Sequence, residues 1–312
     1  MKTRAIPIFL LSFMLLLQGC SITSHTLDTQ AAPGKASSSA DMERMLAQPG
    51  PVDLDTVVSA DWTVRLAGLL NLKNPQAIQA GLQDRDEPIQ VYAYLLKHPT
   101  RGNFLVDTGV SRKVIAKPED YGLNWLIQRV MHLDQLQVRT SAAEILAPLN
   151  GKLSGVIFTH LHIDHIMGLP DIGSGVPLYI GAAEASESSF KNMFVRGATD
   201  QMFKGKNAFQ KWHFQPDPQG QFDGIVDVFE DGSVFAIHVP GHTVGSTAFL
   251  IRTTRGPVLL TGDACISRWG WDNSVEPGDF TSDHETNLKS LKAMKALVAR
   301  HPEIEVRLGH QH

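Results

Sequence analysis

Cysteine is scarce in this chain of 312 residues, which contains only Cys20 and Cys265. Two cysteines cannot provide the dense disulfide framework that stabilises many small secreted domains. A chain in which Cys20 is chemically modified would form no intramolecular disulfide, and a Cys20–Cys265 pair is the alternative for an unmodified chain. We therefore expect the stability to come mainly from sources other than disulfide bonds.

An excess of charge of one sign is also lacking. The chain has 28 Lys and Arg residues against 32 Asp and Glu residues, which gives a formal net charge of -4. No run of Lys and Arg creates a local basic surface, so the sequence argues against a nucleic-acid partner. A hydrophobic content of 43% with 19% charged residues instead suits a soluble globular protein with a substantial core.

The N-terminal region has no apolar run long enough to span a bilayer. The run from Ile6 to Leu17 follows Lys2 and Arg4, and it is shorter than the roughly 20 apolar residues that a transmembrane helix needs. A basic start followed by a short apolar run is typical of an export signal. We therefore predict that the protein is exported, and we exclude this region from the folded domain.

The segment Leu17–Ser21 resembles the bacterial lipobox, in which the cysteine becomes the lipidated first residue of the mature protein. The resemblance implies that residues 1–19 are a lipoprotein signal peptide and that Cys20 anchors the protein to a membrane. Ser21 after the cysteine implies the outer membrane, with the protein facing the periplasm. Ordinary signal cleavage, giving a periplasmic or secreted protein, and a simple membrane anchor are the alternatives.

Composition changes again after the export signal. Residues 20–50 are rich in Ser, Ala, Thr, Gln, Gly and Pro and contain few large apolar side chains. Such a segment buries too little surface to offset its conformational entropy, and it predicts a flexible tether. The folded domain is therefore expected over residues 51–312.

Hydrophobic periodicity within this domain predicts strands and helices in alternating blocks, which indicates a mixed α/β (α+β) fold class. A hairpin formed by Ile89–Leu96 and Phe104–Val106 is expected to end at Asp107. The other predicted elements are a helix over Asn124–Gln137, a helix capped by Ser141 that ends at Leu146, a strand over 176–180, a helix from Ala182, an irregular segment over 190–222, strands over 225–229, 234–239, 247–252 and 257–260, a helix over 285–300 and a strand over 304–308.

Four metal-competent side chains lie within Thr159–His165, directly after the apolar run Val156–Phe158. A chance His-x-His-x-Asp-His in a chain of this length has odds on the order of one in a thousand. His160 and His162 are two residues apart in extended chain, so both imidazoles can face one ion. The turn that follows lets Asp164 and His165 reach a second ion.

Two ions need more ligands, and three later positions offer them. His242, Asp263 and His310 each follow a strand-like run and a glycine, and a glycine allows the backbone to approach a packed site closely. His312, two residues after His310, is a competing donor for the last position.

These motifs together resemble the metallo-β-lactamase superfamily over roughly Ile89 to the C-terminus. The resemblance implies a four-layer αββα sandwich for the domain spanning residues 51–312. It also implies one ion held by His160, His162 and His242, and a second held by Asp164, His165 and His310, with Asp263 bridging the two. Asp107 would accept a hydrogen bond from a ligand imidazole and fix its orientation.

This ligand set implies hydrolysis with a metal-bridging hydroxide as the nucleophile and with Asp164 and Asp263 as catalytic residues. Nitrogen and oxygen donors suit two Zn²⁺ ions and would also accept Mn²⁺, Fe²⁺ or Co²⁺. Asp263 resembles the lactonase, thioesterase and phosphodiesterase branches, because true β-lactamases lack that bridging carboxylate. The segments 91–96, 104–109 and 261–264 look most like the N-acyl-homoserine lactonases and the related organophosphate hydrolases.

We therefore expect a hydrolase that opens a lactone or cleaves a related ester. A thioesterase, a phosphotriesterase or phosphodiesterase, a β-lactamase-type hydrolase, a one-iron oxygenase and a metal-binding surface lipoprotein without catalysis are the alternatives. The substrate would be a small molecule with an acyl chain. The aromatic side chains between residues 190 and 222 would accommodate that chain, or, as the alternative, they only pack against one another within a long insertion. Tyr179 is the one candidate for the family's auxiliary tyrosine, and the oligomeric state is not predicted.

Overall fold

The computed structural model describes residues 20–189 and 191–311, so the predicted signal peptide lies outside the described residues. Within these ranges, no helix combines the length and apolar character needed to cross a bilayer. The strands are β1 Cys20–Ser21, β2 Lys35–Ser37, β3 Asp53–Arg65, β4 Asp86–His98, β5 Gly102–Val106, β6 Gln137–Val138, β7 Leu153–Ile157, β8 Leu178–Ile180, β9 Ser188–Ser189, β10 Phe209–Lys211, β11 Ile225–Asp227, β12 Val234–His238, β13 Thr247–Thr253, β14 Gly256–Leu260 and β15 Glu305–Arg307. The α-helices are α1 Ser39–Met45, α2 Leu66–Leu69, α3 Pro75–Gln79, α4 Arg112–Ala116, α5 Trp125–Val130, α6 Ala142–Leu146, α7 Ile163–Ile166, α8 Asn192–Phe203, α9 Arg268–Asn273 and α10 His284–Arg300.

Most strands belong to two large sheets. The first sheet has the order β10-β8-β7-β5-β4-β3-β6, and the second has the order β15-β14-β13-β12-β11-β2. The long antiparallel pair β3 and β4 dominates the first sheet, where β5, β7 and β8 then run parallel to one another. The small pair β1 and β9 stands apart from both sheets.

Three hydrophobic clusters show how the layers pack. One fills the space between the two sheets and includes Leu96, Val106 and Phe249. A second lies between the first sheet and its helices, and a third lies between the second sheet and the helices α1 and α10. Helices therefore cover the outer face of each sheet, which confirms the four-layer αββα sandwich and the mixed α/β fold class.

Local sequence signals explain several element boundaries. Ser141 caps α6 with a complete capping box, since its hydroxyl accepts from Glu144 N and the Glu144 carboxylate accepts from the backbone N–H of Ser141. The helix α10 begins after Asp283, whose side chain accepts from the backbone N–H of Thr286, and it buries Leu291 against the second sheet. The predicted hairpin ending at Asp107 is confirmed.

The prediction of a flexible tether over residues 20–50 is wrong. The strand β2 forms the edge of the second sheet by pairing with β11, and Met42 of α1 is completely buried. Ile22 is also buried, in the cluster beneath the first sheet. The segment has few large apolar side chains, and Leu27 and Met45 among them are exposed, but Ile22, Met42 and Leu46 are buried in the cores. Burial at these few positions outweighs the polar average composition.

Three predicted elements differ from those observed. The helix predicted over Asn124–Gln137 ends at Val130, because His132 adopts the left-handed backbone conformation with φ of 53° and stops the helical path. The helix predicted from Ala182 is one short turn, Glu184–Ser186, followed by β9. The segment predicted to be irregular over 190–222 contains the 12-residue helix α8.

Candidate metal centre

All the sequence-predicted ligands lie at one edge of the sandwich, where strands of both sheets end. His160, His162, Asp164 and His165 follow β7, and the last two lie in the first turn of α7. The three remaining candidates follow strands of the second sheet, with His242 between β12 and β13, Asp263 after β14 and His310 after β15. Residues separated by up to 150 positions therefore meet at one place.

The first group of donors consists of His160, His162 and His242, whose ligand atoms all lie within 4.8 Å of one another. The Nε2 atom of His242 is 2.9 Å from the Nδ1 atom of His162. Burial lowers the pKa of His160, and the neighbouring His165 and His162 lower it further. Burial and His162 likewise lower the pKa of His242 to about 3. These imidazoles are therefore neutral, which is the form that binds a metal ion.

The second group consists of Asp164, His165, Asp263 and His310, and its ligand atoms satisfy the same 4.8 Å limit. The Nε2 atom of His310 lies 3.1 Å from the Oδ2 atom of Asp164, and the Nε2 atom of His165 lies 3.4 Å from the Oδ1 atom of Asp263. This group supplies two carboxylates and two imidazoles, a donor set that suits a divalent cation.

Asp263 lies between the two groups. Its Oδ2 atom is 3.7 Å from the Nε2 atom of His242 in the first group and 3.5 Å from the Nε2 atom of His310 in the second. The same oxygen is 4.0 Å from the Nε2 atom of His160. One carboxylate thus faces imidazoles of both groups, which is the arrangement expected of a ligand shared by two ions.

Each of three histidines has a second partner on the side away from the centre. His165 Nδ1 lies 2.8 Å from Asp107 Oδ2, His310 Nδ1 lies 2.7 Å from the carbonyl oxygen of Gln90, and His242 Nδ1 lies 3.2 Å from Thr281 Oγ1. Such contacts fix the ring orientation and leave the Nε2 atom to face the centre. The contact predicted for Asp107 is present.

Unpartnered buried atoms test whether metal ions fit this site. The Nε2 atoms of His160 and His165 and the Oδ1 atom of Asp263 are buried without a hydrogen-bond partner among the described residues. Leaving such atoms unpaired is costly, and coordination of a cation would satisfy all three. Burial opposes protonation of His310, yet Asp263 and Asp164 raise its pKa to about 10. The carboxylates therefore favour positive charge at the centre, and the residues fit two divalent ions.

Gly309, which precedes His310, lies too close to Asp263 to carry a side chain. A side chain at Gly309 would collide with the carboxylate of Asp263, and the backbone carbonyl of Gly262 would lie 3.0 Å from the added carbon. The prediction that glycines let the backbone pack tightly against the ligands is confirmed at this position.

A pocket of about 450 Å³ opens above the two groups. Its floor contains His162, Asp164, Asp263 and His310. Its walls are mainly apolar and come from distant parts of the chain, including Ile22, Trp62, Leu69, Ile89, Val195 and Phe280. The site therefore presents a polar, metal-competent floor beneath an apolar chamber, the usual form of a small-molecule site.

Comparison with known protein families agrees with this geometry. The family model described as the Metallo-beta-lactamase superfamily matches residues 86–310, well over half of the chain. This chain belongs to the metallo-beta-lactamase superfamily. The matched range begins at β4 and ends at His310, so it contains every proposed metal ligand of the domain.

Within the superfamily, the chain is similar to proteins described as N-acyl homoserine lactonases. It is 27% identical over 223 residues to the N-acyl homoserine lactonase AttM of Azorhizobium caulinodans, covering 69% of this chain and 80% of that protein. It is 26% identical over 226 residues to an N-acyl homoserine lactonase of a Bacillus species, covering 71% and 81%. A crystal structure of a quorum-quenching N-acyl homoserine lactone lactonase superposes with a TM-score of 0.60 at 19% identity, covering 85% of this chain and 93% of that one. The structural likeness supports the same fold.

The aromatic side chains predicted to accommodate an acyl chain do not line the pocket of this metallo-beta-lactamase domain. Phe203, Phe209 and Trp212 are at most 1% exposed and belong to the hydrophobic cores. Phe214 stacks on His238 at 5.0 Å, and Phe194 is 54% exposed without forming a wall of the pocket. The local-packing alternative holds for the buried residues, because strand β10 carries Phe209 into the first sheet.

Tyr179 is also placed away from the centre. Its ring stacks on Trp212 at 5.5 Å in the cluster between the two sheets, and it is absent from the pocket walls. Of the two candidates for the last ligand position, His310 faces the centre, whereas His312 lies outside the described residues. No tyrosine lines the pocket in the part of the chain that the structure describes.

Two glutamates near the metal centre are not indicated by any sequence motif. The buried carboxylate of Glu184 accepts from the backbone N–H groups of Leu161 and Gly245 and from the hydroxyl of Thr243. It therefore connects the loop that carries His160 to the turn that carries His242. Burial raises the pKa of Glu184 to about 7.

The second of these residues, Glu187, accepts from the backbone N–H of Val244 at 2.7 Å and from the hydroxyl of Ser282 at 2.6 Å. It thereby joins the turn after His242 to the loop that contributes Phe280 to the pocket. Both glutamates follow the predicted strand 176–180 and belong to no recognisable sequence motif. Only their tertiary contacts distinguish them from surface carboxylates.

Proposed function

We propose that this protein is a dinuclear metal-dependent hydrolase that opens N-acyl-homoserine lactones or closely related lactones. The observation that carries the proposal is the location of two metal-competent groups, joined by Asp263, at the floor of an apolar pocket. A lactone with an acyl chain presents a polar ester to such a floor and an apolar tail to such walls. The similarity to several N-acyl homoserine lactonases supports this choice of substrate.

His160, His162 and His242 would hold one ion, Asp164, His165 and His310 would hold the second, and Asp263 would serve both. When bound, such ions polarise a carbonyl oxygen and make water acidic enough to attack near neutral pH. We propose zinc for both positions, because the donor set consists mainly of imidazoles, with five histidines and two aspartates. Metal analysis of purified protein should then find close to two zinc ions per chain, whereas a single iron would support the oxygenase alternative.

Asp164 is the ligand carboxylate best placed to move a proton. Its side chain is 18% exposed in the pocket, whereas that of Asp263 is only 6% exposed. Burial opposes ionisation, but His165 and His310 lower the pKa of Asp164 to about 2. We propose that this carboxylate accepts a proton from the attacking water and donates it to the ring oxygen as the ester bond breaks. The products are a carboxylate, a hydroxyl group and one released proton.

A hydrolysis panel tests the substrate class. Metal-loaded protein should hydrolyse N-acyl-homoserine lactones with a higher kcat/KM than thioesters, phosphotriesters, phosphodiesters or β-lactams. A higher value for one of these other classes would assign the chain to that activity instead. Absence of turnover on the whole panel by protein containing two ions per chain would favour a metal-binding protein without catalysis.

We propose that the protein is exported and attached to the outer membrane through a lipid on Cys20. The lipobox-like segment Leu17–Ser21 supports this location. Mass spectrometry of the N-terminal peptide should find a lipid on Cys20, and fractionation of the source membranes should recover the protein with the outer membrane. An unmodified N-terminus after Gly19 would support a periplasmic or secreted enzyme.

A further inference from the structure

Large apolar side chains are exposed on the elements that contribute to the walls of the pocket. Trp125 is 72% exposed, Val130 is 62% exposed, Phe280 is 53% exposed and Met193 is 46% exposed. Leu126 and Phe194 are exposed to a similar degree. Single exposed apolar residues are ordinary on protein surfaces, but a group of them on neighbouring elements marks an interaction surface.

The elements that carry these side chains form one rim. Val130 at the end of α5 and Phe280 both contribute to the pocket walls. The residues just before α5 lie against α8, since a side chain at Gly122 would come within 2.9 Å of the backbone of Ala198. The ammonium group of Lys191, just before α8, lies 5.3 Å from the centre of the Phe280 ring. The rim therefore consists of α5, the start of α8 and the loop around Phe280.

The N-terminal attachment point lies at the same rim. Cys20 pairs with Ser189 in the two-stranded sheet formed by β1 and β9, and Ser189 lines the pocket. Ile22, two residues after Cys20, is itself part of the pocket wall. The apolar run Ile6–Leu17 precedes Cys20 in the sequence. A lipid on Cys20, or an apolar leader retained before it, would therefore be attached beside the mouth of the pocket.

We propose that this rim contacts a lipid bilayer and holds the mouth of the metal-containing pocket against the membrane surface. Tryptophan and aliphatic side chains are suited to the apolar part of such a contact. Arg129 is exposed beside them and suits an anionic lipid head group. Lys191 is also exposed, and its ammonium group donates to the backbone carbonyl of Asp279. A lipid on Cys20 would hold the chain at the membrane, and an apolar rim beside that anchor would add its own membrane affinity and orient the domain.

This orientation defines how substrate reaches the site. Long-chain acyl lactones partition into membranes, and a pocket that opens onto the bilayer would receive them from the lipid phase and not from water. Access from the membrane rests on the proposed lactonase activity. The bilayer contact itself rests only on the rim and on the attachment point, so the two can fail separately.

Tryptophan fluorescence tests the bilayer contact directly. The metal-loaded, full-length lipoprotein would be reconstituted into vesicles of phosphatidylethanolamine and phosphatidylglycerol, with or without bromine atoms on the acyl chains. Comparison with the Trp125→Phe variant isolates the emission of Trp125. We expect brominated lipid to quench most of that emission and to leave the emission of the Trp125→Phe variant nearly unchanged.

A second reporter controls for orientation. Thr254 is an exposed residue in the turn between β13 and β14. The strand β13 starts beside the metal centre, where Thr247 N donates to Thr159 O, and its seven residues place this turn roughly 20 Å away. The Thr254→Trp substitution in the Trp125→Phe background should add a signal that brominated lipid does not quench.

Three results would overturn the proposal. Vesicle-bound protein whose Trp125 emission is unaffected by bromine would show that the rim faces away from the lipid. Equal quenching of both reporters would show that the domain has no preferred orientation. A rim covered by a second copy of the chain would change Trp125 emission with protein concentration in the absence of lipid, together with a doubled mass in solution.

An activity measurement separates this proposal from the proposed function. The double variant Trp125→Ser, Met193→Ser changes two rim residues that are not part of the pocket wall. It should keep its turnover of a short-chain lactone in solution and lose most of its turnover of a long-chain lactone presented in vesicles. Equal turnover of vesicle-borne substrate by both proteins would contradict delivery through the membrane, whatever the soluble activity is.

Discussion

The Nδ1 atom of His165 lies 2.8 Å from the Oδ2 atom of Asp107. The same carboxylate accepts from the backbone N–H and the hydroxyl of Thr159, each at 2.8 Å. Asp107 itself has a left-handed backbone conformation, with φ of 55°, which only a tightly constrained position retains. One carboxylate at the end of β5 thus holds both the start of the ligand loop and the ring of one of its ligands.

Replacement of Asp107 should therefore weaken metal binding without removing a ligand. We expect Asp107→Asn to lower zinc affinity by about 10- to 100-fold, because the neutral amide supports the His165 ring less well. Competition with a chromogenic chelator measures the affinity. Asp53→Asn, an exposed site at the start of β3, is the matched control, and equal affinities of the two variants would contradict the role of Asp107.

Replacement of Asp263 should affect metal binding and activity more than replacement of Asp107, because the Asp263 carboxylate faces both groups of donors. We expect Asp263→Ala to lower kcat/KM by more than the roughly 100-fold that loss of an outer hydrogen-bond partner costs, and to reduce the metal content below two ions per chain. Elemental analysis and near-ultraviolet circular dichroism measure metal and fold together. A folded variant with two ions and full activity would disprove the bridging role.

The last ligand position can be decided between two histidines. His310 should be essential for the second ion, since its Nε2 atom faces both Asp164 and Asp263. We expect His310→Ala to lose that ion and most of the activity, whereas His312→Ala keeps both. Metal content of the two purified variants distinguishes them, and the opposite pattern would assign the position to His312.

Phe280 should affect the preference for acyl-chain length, because its side chain forms part of the pocket wall and is half exposed. We expect Phe280→Ala to lower the kcat/KM for a long-chain lactone about fivefold relative to a short-chain one, which corresponds to about 1 kcal/mol of lost apolar contact. Phe194→Ala is a close control, because Phe194 is equally exposed but is not part of the wall. Soluble substrates without vesicles keep this test separate from membrane effects. An unchanged long-to-short ratio would place the acyl chain elsewhere.

Glu184 should make stability depend on pH. Burial raises its pKa from an ordinary value of 4.5 to about 7, so the folded protein binds more protons than the unfolded chain between these values. The contribution of Glu184 to stability is therefore present below pH 4.5 and is lost as the pH rises through 7, by an amount on the order of 3 kcal/mol.

Chemical denaturation of metal-free protein between pH 4.5 and 8 checks this expectation. The free energy of unfolding of the natural chain, minus that of Glu184→Gln, should decrease with rising pH and level off above about 7. The exposed Glu285→Gln variant should show no such trend relative to the natural chain. A difference that increases with pH would mean that the folded state stabilises the charged carboxylate.

Much of the centre could be predicted from the chain because each ligand has a local signature. The pattern His-x-His-x-Asp-His over residues 160–165 follows an apolar strand and is typical of a metal site. His242, Asp263 and His310 each follow a strand and a glycine. These signals depend only on neighbours in the sequence. They therefore predicted which side chains meet, although the distances between them required the folded structure.

The pocket could not be predicted in the same way. Its walls combine Ile22 from the N-terminal segment, Val195 from α8 and Phe280 from a late loop, and no local pattern relates these positions. The aromatic residues between 190 and 222 have the same composition whether they line a site or fill a core. Their burial was decided by the pairing of β10 with β8, a contact between distant parts of the chain.

The sequence by itself determined the candidate ligands, the positions of most strands and the family of this protein, because periodicity and short motifs are local properties. Tertiary structure alone decided that residues 20–50 are part of the fold, that Glu184 and Glu187 tie the ligand loops together, and that Cys20 lies beside the mouth of the pocket. The physical reason is that burial and hydrogen bonding depend on which distant surfaces meet. Composition measures how apolar a segment is on average, whereas packing determines which of its apolar side chains are buried.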